Sequence, residues 1–590
     1  MLSITDLPLL ALAFPAAATF VCSALGRTGP PRPGFWARWV VRLALLLSLA
    51  TVVTILFLLQ PGGTLQTTLW RLDPRLPVTF EVDTAGTVIA VMVLVAALVV
   101  SFAARERRPL ASAALGLAVV GGLTAAFAGD LLCLYIGLQL SALGGIGLSY
   151  ARQPRVASTR MVWAAIADQS VGLIWLGTMV VLLRQTSTLE LAAIPPSVVG
   201  PAVAGLLLLP AVVRLVGCAL IAGSPSRRPG QVARAVDVSD WLTVVAIPTA
   251  LLVMIRVQAL SGGKWPTPWF GTCLDLLAML LGAAAVGLLL YSTDARAEIR
   301  ALLLAATALV VVGFGQNSAD GTLLGLGAGL FLELSAAYLP RALLSRPHRR
   351  ASQSPQGGAA WGRAQLLLSG ATSLLPLSLG FGVGLLGLSL ALAAGLGSGF
   401  APALAYIFAL AGLVLAMPRL WRLLSVRPRW TWPLSLPAIC LLAAALLPGW
   451  TITVAAASLA TPGTAAASLL SAPDPLVVLA PGLLWPGGYL SLLVAVITVG
   501  AWAVRVASGA GPAAAAEAAP AADRNETKPP PPVAALLGWG SAAPRVATEV
   551  RGWYLILVNL ADREVGERPV WLWLAATAAA AWLLTEWVRL

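Results

Sequence analysis

GDLLCLYIGLQLSALGGIGLSY, residues 129–150, is the stretch on which the reading of the chain turns. It is apolar over the length that spans a bilayer as a helix, roughly 20 residues. One amide, Gln139, sits near its middle. Hydrocarbon gives an amide no hydrogen-bond partner. What Gln139 faces, and what a working helix of this kind would carry there, is a question about function.

The rest of the chain is of the same kind. It has 590 residues, of which 59% are hydrophobic and 11% charged, and its mean hydropathy is +0.88. That is too apolar for a soluble protein. Apolar runs of spanning length recur near 7–25, 36–60, 86–103, 110–128, 130–150, 161–183, 199–222, 241–260, 272–292, 299–317, 321–345, 365–396, 400–418, 433–455, 476–504 and 569–588. The fold class predicted is an all-α polytopic membrane protein of about 16 transmembrane helices. No basic region precedes the first run, so it reads as a span and not as a cleaved signal.

The net charge of +14 is explained by topology. Arginines cluster after odd-numbered spans: Arg27 and Arg32, then Arg105, Arg107 and Arg108, then Arg152, Arg155 and Arg160. The series continues with Arg227, Arg228 and Arg234, with Arg346, Arg349 and Arg350, and with Arg419, Arg422, Arg427 and Arg429. The even-numbered links are short and nearly uncharged or mixed. This alternation is the positive-inside rule. It predicts a multi-pass protein of the cytoplasmic (inner) membrane with both termini outside, and it argues against a nucleic-acid partner.

Five cysteines lie scattered without a CxxC pair, and the single histidine, His348, lies in a basic loop. The expectation is no metal, no haem, no cofactor and no catalytic residue in this chain. Near the C-terminus the pattern of span and short link breaks. Residues 506–542 are an Ala/Pro-rich linker. Residues 543–568 have an apolar centre too short to span and charges at both ends, which predicts an amphipathic helix on the cytoplasmic surface. A final helix occupies 569–590.

Polar side chains inside spans are functional candidates by default. They are Gln139, Asp168, Arg214, Arg256, Arg300 and Glu333, with Arg341, Asp83, Asp237, Asp240 and Asp275 near span ends. Arg256, Arg300 and Arg341 have a plainer reading, in which long side chains snorkel to the interface. Asp237 and Asp240 suit the start of a helix. Arg214 lies deep in its span and needs a carboxylate or backbone carbonyls, and Asp168 is a candidate partner.

Several segments, in order, resemble the antiporter-like membrane subunits of respiratory complex I and of Mrp-type cation/proton antiporters. They are FEVDTAGTVIAVMVLVAALVVSF, AGDLLCLYIGLQLSALGGIGLSY, TRMVWAAIADQSVGLIWLGTMVVLLRQTSTLEL, LLLLPAVVRLVGCAL, DARAEIRALLLAATALVVVGFG and GLLGLSLALAAGLGSGF. The likeness runs from about residue 80 to 400, and the amphipathic segment before a last span is similar to the L-type subunit. The resemblance implies two inverted five-helix repeats, each with a broken helix, and the Pro- and Gly-bearing GSPSRRPG and SLLPLSLGFGVG are where breaks are expected. It implies N-terminal spans in 1–80, a proton-translocation core in 81–420 and C-terminal spans in 421–505. The partners implied are other membrane subunits of a complex I-like or Mrp-like assembly, the lipid bilayer, and protons or monovalent cations.

The resemblance also answers the opening question. The family carries a glutamate in the fifth span, paired with a lysine in the seventh. Here those positions are Gln139 and Arg214, and the family's lysine in the tenth reads Arg300. Its basic positions in the eighth and eleventh spans read Ser239 or Leu242, and Ala336. The whole chain has two lysines, Lys264 and Lys528, neither inside a span. A buried lysine can load and release a proton, an arginine effectively cannot, and glutamine does not titrate. Three readings follow. The chain moves ions by a modified route, or it is a non-conducting paralogue that serves as scaffold, or it is an unrelated multi-span transporter. Redox chemistry in this chain is not expected, so any enzyme activity belongs to an assembly.

Overall fold

Helices form where the apolar runs are longest. The computed structural model describes residues 6–28, 33–59, 63–73, 76–103, 108–152, 159–221, 242–291, 295–316, 319–344, 387, 400–425, 478–480 and 483–485. Helices α1 (Leu7–Thr28) and α2 (Pro33–Leu58) come first, then β1 (Leu65–Asp73) and β2 (Leu76–Val82). There follow α3 (Thr84–Ala103), α4 (Pro109–Ala126), α5 (Leu131–Arg152), α6 (Thr159–Thr186) and α7 (Pro201–Ile221). A π-helical turn, Leu242–Ala246, leads into α8 (Ile247–Leu260). Helices α9 (Pro268–Tyr291), α10 (Ala295–Gly315), α11 (Ala319–Leu344) and α12 (Phe400–Ser425) complete the helical series. Among the described residues, 8 helices are long and apolar enough to cross a membrane. The first eleven spans read from the sequence, and the thirteenth, fall on α1–α11 and α12.

Two β-hairpins correct the all-α expectation. Strands β1 and β2 pair antiparallel, from Leu65 opposite Val82 to Asp73 opposite Leu76. LQTTLWRLD and LPVTFEV alternate apolar and polar residues and are rich in Thr, Val and aromatics, which is a strand pattern. The second correction falls in the expected span 476–504. There Val478–Ala480 (β3) pairs antiparallel with Leu483–Trp485 (β4). Pro481 can donate no helical hydrogen bond and Pro-Gly favours a turn, so the apolar run does not start as a helix. The expected spans 365–396 (save Gly387), 433–455 and 569–588, the linker 506–542 and the amphipathic 543–568 lie outside the described residues.

The first hairpin is stitched over one end of the bundle. Glu81 N–H donates to Phe127 O at 2.9 Å, and Gly129 N–H to Thr79 O at 2.9 Å. The 127–131 link pairs in turn with 189–191, through Leu131 N–H to Leu189 O and Leu191 N–H to Gly129 O. Asp130 locks this layer to α5. Its carboxylate accepts from Thr79 N–H at 2.7 Å and, as the cap of α5, from Cys133 N–H at 2.6 Å.

Small residues bring the helices together where lipid supplies no hydrophobic drive. A Cβ on Gly121 of α4 would stand 2.1 Å from Ser141 N of α5, and one on Gly137 2.4 Å from Ala125 N. At the centre, α8 and α10 are buried along nearly their whole length. The π-turn packs against α3, α4, α5, α7 and α11.

Candidate functional site: a charge pair at mid-depth

Arg214 stands in α7, about 20 Å from the hairpin end at ~1.5 Å per residue. Its side chain is 2% exposed, and that of its partner Asp168, on α6, is 3% exposed. The fork is bidentate. Nε donates to Oδ1 at 2.6 Å, and Nη2 to Oδ2 at 2.9 Å. Nη2 also donates to Leu138 O of α5 at 3.3 Å, and Nη1 to Thr249 Oγ1 of α8 at 2.8 Å. Four helices therefore meet on one guanidinium, whose planar geometry suits a carboxylate better than an ammonium does.

Thr249 extends the site into the π-turn. Its hydroxyl donates to Val245 O while accepting from Arg214. Pro248 explains the irregularity next to it. It has no N–H, so Val244 O loses the helical donor four residues on, and the backbone widens. Sequence reasoning placed breaks near GSPSRRPG and SLLPLSLGFGVG. Both lie outside the described residues, and α7 runs as one helix through Pro210. The irregular turn instead begins α8, at Leu242, and Pro248 was the signal for it.

Gln139 is one residue beyond Leu138 and part-buried, but no printed bond joins it to Arg214. Its amide lies on α6, where a Cβ on Gly172 would stand 2.2 Å from Nε2. The glutamate-to-lysine geometry of the resembling family is thus replaced. Its cation position contacts a carboxylate from the sixth span and a carbonyl from the fifth.

A second pair closes the hairpin end. Arg256 of α8 does not reach outward. Nη1 donates to Asp83 Oδ2 at 2.6 Å, Nη2 to Asp83 Oδ1 at 3.0 Å, and Nη2 to Ala126 O at 3.4 Å. Glu81 lies beside this pair. Burial pushes its carboxyl above its ordinary value of 4.5, Arg256 pulls it down, and Asp83 and Glu190 push it up. Burial likewise pushes Asp130 up, against the bonds it accepts from Thr79 and Cys133.

The remaining candidates are dispersed. Glu333 of α11 is 1% exposed, and neither carboxyl oxygen has a hydrogen-bond partner among the described residues. Asp275 of α9 is buried and hydrogen-bonded to Gln316. Arg300 stands part-exposed in the first turns of α10. Ala336 is buried in α11, Leu242 opens the π-turn, and Arg341 falls in the last turn of α11, its side chain outside the description. Asp237, Ser239 and Asp240 lie outside the described residues. Thr249, the Leu138 carbonyl and the Asp130 latch were not singled out from sequence. A hydroxyl or carbonyl in a helix carries no sequence signal that separates a ligand from an ordinary helix bond.

Solved membrane complexes share this fold. A chain of the Mrp complex from a Dietzia species aligns at TM-score 0.61 and 16% identity, over 96% of this chain and 63% of that one. The protein thus spans 63% of the length of that relative. A chain of respiratory complex I from Thermus thermophilus aligns at TM-score 0.54 and 19% identity, over 75% of this chain and 98% of its own length. A chain of an archaeal membrane-bound sulfane sulfur reductase aligns at TM-score 0.58 and 12% identity, over 98% and 99%. No family model and no curated protein matches the sequence. The chain is a multi-pass membrane protein with the fold of these membrane chains, in keeping with the resemblance carried by its motifs.

Proposed function

We propose that the chain is an antiporter-like subunit that moves protons or monovalent cations in the membrane arm of a complex I-like NADH:quinone oxidoreductase or a related Mrp-like or respiratory assembly. One observation carries this reading: the Arg214–Asp168 pair, sealed at mid-membrane and joined through Thr249 to a carbonyl of a π-turn, in a bundle of this fold. Charges at such depth are costly and mark pathways. Arg214 keeps its charge at any working pH, so its part is that of a fixed counter-charge.

In this reading the core 81–420 holds two inverted five-helix repeats within about 16 spans. The termini lie outside the cytoplasmic membrane, and residues 543–568 lie along the cytoplasmic surface against neighbouring membrane subunits. The first test is proton or sodium flux through the protein reconstituted in vesicles, alone and within its assembly. Flux that disappears in Asp168→Asn protein of normal fold supports the reading. Flux that ignores Asp168 and Arg214 overturns it.

A second reading is favoured by one feature, the closed state of the pair. Asp168 fills the fork of Arg214, and position 139 offers no titratable group. Such a subunit is a scaffold without conduction. Silence in the wild type and a gain of flux in Gln139→Glu with Arg214→Lys, which rebuilds a titratable pair, would establish the scaffold.

A further inference from the structure

Conduction of protons needs a group that changes charge at depth. Among the described spans there is no lysine or histidine. Arg214 and Arg256 do not release protons, and each is bound to a carboxylate. Asp168 is held in its bidentate pair. Asp275 lies nearer the hairpin end and is hydrogen-bonded to Gln316. Glu333 differs from all of these: it is buried at mid-depth, and both of its oxygens are without a partner among the described residues.

Its position is specific. Glu333 lies about 20 Å from the hairpin end of α11, at ~1.5 Å per residue, the same depth as Arg214 in α7. The π-turn packs against both α7 and α11 and so stands between them. A Cβ on Gly329 would stand 2.5 Å from Leu251 Cδ1, which fixes the antiparallel register of α11 on α8. One turn further along, that register brings Glu333 level with Ile247, at the junction of the π-turn and α8. Charged groups on the packed helices stand elsewhere. From α10 they are Arg296, Glu298 and Arg300, all in its first two turns. Gly313 against Gly321 and Gly325 sets the register there, and Arg300 falls about one turn, ~5 Å, from the level of Glu333. From α8 the only charge is Arg256, on Asp83 at the hairpin end, and α3 and the π-turn carry no titratable side chain.

An ionised carboxylate with neither counter-ion nor donor is too costly to bury, so the resting Glu333 is the neutral acid. We propose that Glu333 is a reversible proton-binding site at mid-membrane, so that this chain carries its proton on a carboxyl, across the π-turn from a cation that never titrates. This rests on the translocating reading above and names the ion-carrying group within it. Binding adds one proton to the carboxylate and release returns it. Release requires α11 or the π-turn to shift, so that a donor, water or a cation meets the carboxylate. π-Turns are places where a helix can make such a shift.

The test needs a readout that does not depend on flux. Infrared difference spectra of the full-length protein in vesicles, taken across a pH titration and in H₂O against D₂O, report protonated carboxyl C=O bands. The expected result is a band from a carboxyl in an apolar site, lost in Glu333→Gln, displaced in Glu333→Asp and unchanged in Asp275→Asn. Because the resting group is neutral, Glu333→Gln should fold and melt like the wild type. Persistence of the band in Glu333→Gln overturns the site. If Glu333→Gln is poorly folded, the Glu333→Asp displacement decides, and an undisplaced band overturns it. Flux then separates the two claims. Wild-type flux that falls at least tenfold in Glu333→Gln and survives in Glu333→Asp supports both. Wild-type flux unchanged in Glu333→Gln overturns this inference and leaves the proposed function standing. No flux in the wild type overturns the proposed function, while the infrared band still decides whether Glu333 binds a proton.

Discussion

Asp168→Asn is the substitution that most directly probes the buried pair. It keeps the shape of the side chain and removes its charge. Arg214 then stays 2% exposed with Thr249 and the Leu138 carbonyl as its remaining full partners, and its charge is uncompensated. Breaking a buried pair in this way costs about 3–5 kcal/mol, or roughly 10²–10⁴ in the folded-to-unfolded ratio at ~1.4 kcal/mol per tenfold. The companion variant removes the cation as well. Asp168→Asn with Arg214→Met leaves no stranded charge, and an apolar side chain of similar length fills the space. Replacement of both members of a buried pair is often neutral or stabilising. The double variant is therefore expected within about 1–2 kcal/mol of wild type. The assay is the fraction of monodisperse protein left after graded heating in detergent, read by fluorescence-detected size exclusion. A single Asp168→Asn that melts with the wild type would show that the guanidinium is not sealed from water. A double variant whose loss equals the sum of the two single losses would refute the pairing itself.

Gly121→Ala should destabilise the protein by about 1–3 kcal/mol, since its Cβ meets the backbone of α5, whereas Gly172→Ala meets only the movable end of Gln139 and should cost less in the same melting assay. Asp130→Ala should loosen the first hairpin, with faster amide exchange at Thr79 and Cys133 and a loss of about 1–2 kcal/mol as for a helix cap. Burial raises Glu81 above its unfolded value, so the folded form binds protons more tightly and its contribution to stability falls as pH rises through the raised value. Glu81→Gln should flatten that decline in hairpin protection, and an unchanged profile would show that Glu81 is not its source. A cysteine introduced within 345–364 should resist impermeant thiol reagents added outside intact cells, and ready labelling would reverse the orientation.

The helices were legible because bilayer-spanning runs are long, and one property, apolarity, decides them. The first hairpin was legible in principle, since β1 and β2 alternate, but a strand pair of this size adds little signal beside spans of 20 residues or more. Val478–Trp485 shows the converse limit, because an apolar run does not by itself choose between helix and strand, and Pro481 decides it. At the site, sequence placed Asp168 and Arg214 on neighbouring spans as candidate partners, and the structure joins them. It did not reveal that Arg256 would turn onto Asp83, because two residues 173 positions apart meet only through packing.

The substitutions relative to the resembling family bear on how this chain treats charge. A lysine paired with a glutamate across two helices has two protonation states near each other in energy, and a proton can be moved between them. Arginine on aspartate has one. Its bidentate fork favours a single geometry, and Thr249 fixes that geometry to the π-turn. The first half of the described bundle thus presents a charge that can shift in space but not in number. A helix movement at the π-turn would change the field it exerts at mid-depth. Glu333, on the far side of that turn, is the group that can answer such a change by gaining or losing a proton, because nothing in the described structure holds it in one charge state. Division of labour between a permanent cation and a neutral acid is therefore the arrangement that lets this chain dispense with the family's lysines and still couple a conformational change to a proton. It makes a directional demand that a lysine chain does not. Arg214→Lys, by making the cation titratable, should alter the pH dependence of any flux, while leaving the Glu333 carboxyl band in place.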